Sequence, residues 1–124
     1  MAEGNLFTLQ QYKHVLEKNG YAVTTAQDGE ECMKKYDEAF LALDTESLES
    51  GPFDVVLIDN NMPKKSGAEA VREILERCPN QRIIFASAYN INSILSAPEI
   101  LNKSVEVLQK PFSLNSMIVK IQTK

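Results

Sequence analysis

Apolar positions along the chain follow two rhythms. Leu6, Leu9, Tyr12, Val15 and Leu16 recur at three and four residues, which predicts an amphipathic helix that Gly20 ends. Residues 21–26 (YAVTTA) are short and rich in β-branched side chains, a strand pattern, and Asp28-Gly29 turns the chain into a helix carrying Cys32, Met33, Tyr36 and Phe40 on one side. The mixed acids and serines of residues 43–51 predict a helix end and an extended surface loop. Val55-Val56-Leu57-Ile58 is apolar without alternation, as in a parallel strand covered on both faces. After a run of turn formers, Ala70, Val71, Ile74, Leu75 and Cys78 mark the next helix, and residues 83–87 (IIFAS) the next buried strand. Residues 88–104 read as a helix broken near Pro98. Residues 105–109 make the last strand, and Ser113 caps a final helix with Leu114, Met117, Ile118 and Ile121 facing inward.

Strands alternating with helices of this length predict right-handed crossovers and one parallel sheet between two helical layers, in a single domain over residues 1–124. Composition adds exclusions. At 44% apolar and 24% charged residues the chain has ordinary globular usage, and it has no apolar run long enough to span a bilayer, so it is expected to be soluble and cytoplasmic. The 13 basic against 17 acidic residues give a net charge of −4 without a long Lys/Arg cluster, which argues against nucleic-acid binding. Cys32 and Cys78 stand far apart in apolar stretches, as expected of buried thiols, and the single histidine, His14, leaves little from which to build a zinc site or a triad.

In open α/β sheets ligands collect beyond the carboxyl ends of the strands. Asp59, Ser87 and Lys110 end three strands there. A carboxylate nucleophile, a hydroxyl and an ammonium suit phosphoryl transfer, and they suit equally a set of strand-end polar groups that merely satisfy one another. Spacing does not choose between these.

Four motifs in order do point further. Phe53-Asp54-Val55-Val56-Leu57-Ile58-Asp59-Asn60-Asn61-Met62-Pro63-Lys64-Lys65-Ser66-Gly67, then Ser87-Ala88, then Lys110-Pro111-Phe112, and before them the helix-strand signature Leu16-Glu17-Lys18-Asn19-Gly20-Tyr21-Ala22-Val23 followed by Ala26-Gln27-Asp28-Gly29-Glu30-Glu31, closely resemble the receiver domain of two-component response regulators. The resemblance implies a CheY-like, flavodoxin-type fold; CheY is the standard example of strand order 2-1-3-4-5. It implies Asp59 as phosphoacceptor, Ser87 as switch hydroxyl, Lys110 as the phosphate contact, a cis Lys110-Pro111 bond, and the Asn61 backbone carbonyl as a magnesium ligand beside Asp59. It implies a histidine kinase or phosphotransfer protein as partner.

The chain also departs from the receiver pattern. Only Met1-Ala2-Glu3-Gly4-Asn5 precedes the first helix, where receivers carry a central strand ending in two acids, and Glu3 is the only nearby carboxylate. The expectation is therefore a truncated receiver with magnesium binding weak or absent and slow phosphoryl acceptance. The sheet is expected to be reduced to four strands in the order 2-3-4-5, with residues 21–26 closing directly onto residues 53–58 amid five helices. Closure would leave apolar surface uncovered, which predicts a homodimer or a partner complex. Val107 stands where many receivers carry an aromatic switch residue. The alternative function is a phosphorylation-independent pseudo-receiver acting by association alone. A phosphatase of haloacid dehalogenase type would need an acid where Asn61 stands.

Overall fold

The computed structural model of the chain describes residues 1–43, 51–60, 62–87, 105–110 and 112–123. Helices α1 (Leu6–Lys18) and α2 (Gly29–Leu41) precede strand β1 (Val56–Asp59); α3 (Gly67–Arg77), β2 (Ile83–Ser87), β3 (Val105–Gln109) and α4 (Leu114–Gln122) follow. Each helix begins where a short polar side chain accepts an otherwise orphaned N–H. Asn5 accepts from Thr8 at 3.0 Å, Asp28 from Glu31 at 2.8 Å, Ser66 from Glu69 at 3.2 Å and Ser113 from Ser116 at 3.0 Å. Gly20, at φ +90°, makes the left-handed turn that releases the chain after α1.

The three strands are parallel in the order β1-β2-β3, with Val56 opposite Ile83 and Ile83 opposite Val105. β1 and β2 are buried along their whole length, as the unbroken apolar runs require. Alternation then sends side chains to two cores. Val56, Ile58, Ile83 and Phe85 pack with Tyr36, Val71 and Ile74 of α2 and α3. Leu57 and Ile84 pack on the other face with Leu16, Met117 and Ile121 of α1 and α4. The layers are helix, sheet, helix.

Two expectations are corrected. Residues 21–26 do not close onto β1, because residues 1–3 lie between them and Ala2 bridges Ala26 on one side and Ile58 on the other. The backbone alternates strictly through this short piece. Ala2 donates to the Leu57 carbonyl at 2.8 Å and accepts from Asp59 N–H at 2.9 Å, while Met1 accepts from Ala26 N–H at 2.9 Å and Glu3 donates to the Ala26 carbonyl at 3.0 Å. Three residues suffice because each one exposes its N–H and C=O to a single side, so even a fragment of strand pairs both neighbours. The spatial sequence is therefore residues 21–26, residues 1–3, β1, β2, β3, and the four-strand order 2-3-4-5 does not form. Among residues 21–26, only Ala26 takes part in a β-bridge, so that segment is less regular than its composition predicted.

Four helices are present among the described residues. The predicted helix over residues 88–104 and most of the predicted loop, residues 44–50, lie outside the described residues.

Candidate functional site

Three strand ends meet where the sequence placed its chemistry. Asp59 closes β1 and is 4% exposed, Ser87 closes β2 and is 1% exposed, and Lys110 follows β3. The backbone ties these ends together: Lys110 N–H donates to the Ser87 carbonyl at 2.9 Å, and Asn60 N–H to the Ala86 carbonyl at 2.9 Å. Gly67 then brings the start of α3 against β1. A Cβ at that position would collide with the Asp59 carbonyl and with Asn60, so only glycine permits so close an approach.

Lys110 Nζ lies 2.8 Å from Asp59 Oδ1 and 3.5 Å from Glu3 Oε2. Glu3 is itself 4% exposed, lies beside Asp59 and accepts the Asn5 N–H at 3.1 Å. Two buried carboxylates thus share one ammonium. Burial raises the Glu3 carboxyl above its ordinary value and the contact with Asp59 raises it further, while Asn5 N–H and Lys110 pull it down. For Lys110, burial pulls downward, but Asp59 and Glu3 together outweigh it and hold the ammonium above its ordinary value. The field of the pair extends to Tyr12, whose phenol is pushed up to about 12 by burial first and then by the charges of Glu3 and Asp59. Tyr12 stacks on Phe112 with ring centroids 5.8 Å apart.

The sequence reading placed Asp59 and Lys110 in this cluster, and the structure brings them into contact. Ser87 is at the expected strand end, joined to Lys110 through its backbone carbonyl. Asn61 and the Lys110-Pro111 bond lie outside the described residues. Glu3 is the member the sequence undervalued. Three residues show no strand period, so its place at the ligand-binding edge follows only from the pairing of Ala2 with Ala26 and Ile58.

Chemically, the cluster offers a carboxylate positioned to act as nucleophile, a cation to offset incoming negative charge, and a second carboxylate that leaves a net negative charge on the trio. That surplus suits a hard divalent cation, which takes oxygen ligands. The fit is limited to two acids: no group of three or more His, Cys, Asp or Glu side chains placed to hold a metal occurs among the described residues.

Comparison with known proteins gives one family. The response regulator receiver domain profile matches residues 2–122. The response regulator receiver protein CpdR of Brucella abortus is 31% identical over 110 residues, which cover 86% of this chain and 78% of CpdR. Chemotaxis protein CheY of Thermotoga maritima is 27% identical over 90% of this chain and 83% of its own length. The aerobic respiration control sensor protein ArcB of Escherichia coli is 28% identical over 89% of this chain, which spans only 13% of ArcB. Among solved structures, chemotaxis protein CheY4 of Vibrio cholerae superposes with a TM-score of 0.76 at 24% identity, covering 98% of this chain and 92% of that one. CheY in the CheX-CheY-BeF3-Mg complex of Borrelia burgdorferi gives a TM-score of 0.79 at 24% identity, covering 98% and 84%.

Proposed function

Since the chain belongs to the response regulator receiver family, we propose that it is the receiver of a phosphorelay in which Asp59 accepts a phosphoryl group from a histidine kinase or phosphotransfer protein. The observation that carries this reading is the contact of Lys110 with both Asp59 and Glu3 at the strand ends. In the transfer, an Asp59 carboxylate oxygen forms a bond to phosphorus as the bond from phosphorus to the donor atom breaks. Asp59 is the nucleophile, Lys110 offsets charge on the arriving oxygens, and the Ser87 hydroxyl is the hydrogen-bonding switch group. Glu3 and Asp59 would hold a magnesium ion, which supplies further neutralisation of the phosphoryl charge when bound. Because Lys110 already pairs with both carboxylates and only two acids meet there among the described residues, affinity for the ion is low and acceptance from small donors slow.

Intact-mass spectrometry after incubation with acetyl phosphate and magnesium tests the reading. One phosphoryl group is added slowly to the wild type and none to Asp59→Asn. Loss of the modification in Asp59→Asn together with its slowing in Glu3→Gln separates the acceptor from the residue that assists it. Full modification of Asp59→Asn would refute the assignment.

A second reading draws on the same contact. The 2.8 Å ion pair of Lys110 with Asp59 also suits a pseudo-receiver whose switch is fixed and which signals by association alone. Asp59→Ala separates the two, because partner binding and signalling survive it only in the pseudo-receiver.

A further inference from the structure

Lys110 is held over two carboxylates by what fixes the chain on either side of it. On the strand side the anchor is backbone: Gln109 ends β3 opposite Ser87, and Lys110 N–H continues the pairing to the Ser87 carbonyl at 2.9 Å. On the other side stands Phe112, partly buried, which stacks on Tyr12 of α1 with ring centroids 5.8 Å apart and ring planes at 27°. Both rings pack against the core of Leu16, Leu57 and Met117, and Ser113 then caps α4. A lysine ammonium rides on a flexible stem and gives up rotamer freedom when held at one point, so a fixed base lowers the cost of aiming it.

The stack also ties Lys110 to the second partner of its ion pair. Glu3 Oε1 accepts the Asn5 N–H at 3.1 Å, and Asn5 caps α1 by accepting from Thr8 N–H. About two turns further on, α1 presents Tyr12 to Phe112. Phe112 leads back to Lys110, whose Nζ lies 3.5 Å from Glu3 Oε2. These contacts close a ring that runs from Glu3 through α1 to the aromatic pair and returns through Lys110. The Tyr12 phenol stands within the field of the same carboxylates, since Glu3 and Asp59 both raise it beyond what burial does. In group transfer a small misplacement of a charged side chain costs far more rate than the contact that held it would suggest.

We propose that Tyr12 is a positioning residue: by stacking on Phe112 it fixes the base of Lys110 and keeps the ammonium aimed at Asp59 and Glu3. Its effect on phosphoryl acceptance rests on Asp59 being the acceptor, as read above; its hold on Lys110 does not. Tyr12 acts through Phe112 and Lys110, and the ring face rather than the hydroxyl carries the effect. Phenylalanine at position 12 therefore keeps Lys110 in place. Leucine, which preserves apolar packing but has no ring face, does not.

The test begins with the intact chain free of metal and phosphodonor, labelled with nitrogen-15 in lysine, and follows exchange of the Lys110 ammonium protons with water by nuclear magnetic resonance, the signal being assigned by its loss in Lys110→Met. Tyr12→Leu and Phe112→Leu should each speed that exchange about threefold or more, as loss of one aromatic stack implies. Tyr12→Phe should restore the wild-type rate, and the double leucine variant should go no further than either single one, because the same stack is lost in all three. With acetyl phosphate and magnesium, Tyr12→Leu should slow acceptance at Asp59 about fivefold or more, yet add nothing to Lys110→Met, where no ammonium remains to be aimed. Unchanged ammonium exchange in folded Tyr12→Leu, an effect of Tyr12→Phe equal to that of leucine, additive losses in either double variant, or equal acceptance by Tyr12→Leu and an accepting wild type would each overturn the proposal. Where Tyr12→Leu fails to fold, Phe112→Leu decides. A wild type that takes up no phosphoryl group while the ammonium responds as stated would count against Asp59 as acceptor and support the hold of Tyr12 on Lys110.

Discussion

Replacing Glu3 with glutamine probes the charge balance of the site. At an effective dielectric constant of about 20, Lys110 attracts Glu3 across 3.5 Å by about 5 kcal/mol and Asp59 across 2.8 Å by about 6 kcal/mol. The neighbouring Asp59 raises the Glu3 carboxyl while Lys110 lowers it, so for ionised Glu3 repulsion offsets the attraction. What remains is the cost of burying a charge that is 4% exposed. Glu3→Gln removes that charge, retains an acceptor for Asn5 N–H and offers Asp59 a donor. In metal-free buffer at pH 7 it should stabilise the fold by about 1 kcal/mol, the lower end of what a relieved buried charge contributes.

The pH dependence gives an independent sign. A carboxyl whose folded value is raised binds its proton more readily in the folded state, so stability grows as pH falls through the raised value. The gain is complete below the ordinary value of 4.5. Urea titrations from pH 7 to pH 5 should therefore narrow the gap between variant and wild type. Destabilisation of Glu3→Gln by 1 kcal/mol or more at pH 7, or a gap that widens on acidification, would refute this reasoning.

Other perturbations follow from the same contacts. Lys110→Met leaves two buried carboxylates facing each other. Since the lysine is 27% exposed, the expected loss at pH 7 is about 2 kcal/mol, less than for a fully buried partner, with partial recovery on acidification seen in urea melts. Gln81, fully buried, accepts from the Tyr36 hydroxyl at 3.2 Å and donates to the Phe53 carbonyl at 2.8 Å. Gln81→Leu strands both groups and should cost about 2 to 3 kcal/mol in the same assay.

The fold was legible wherever local pattern and tertiary placement agreed. The stripes on α1, α2, α3 and α4, the turn at Asp28-Gly29 into α2, the Ser113 cap of α4, and the unbroken apolar runs of β1 and β2 each follow from spacing and chemistry within a few residues. The centre of the sheet was not legible. Residues 1–3 carry no strand pattern, because three residues show no period, and their position comes entirely from pairing with Ala26 and Ile58, distant in sequence. The site divides the same way. Asp59 and Lys110 announce themselves at the ends of apolar runs, whereas Glu3 becomes a member only once residues 1–3 take the central place. Gln81 carried no signal, since a lone glutamine after Pro79-Asn80 reads as surface, and its burial arises from the approach of Tyr36 and Phe53.

The central claim is that the carboxylate held by Lys110 receives the phosphoryl group. Borohydride reduction of the phosphorylated chain, followed by peptide mapping, tests it directly because reduction converts an acyl phosphate into an alcohol at the acceptor. The account predicts homoserine at position 59 with Glu3 intact. Reduction at Glu3, or a phosphoryl group that resists borohydride and maps to Ser87, would contradict it.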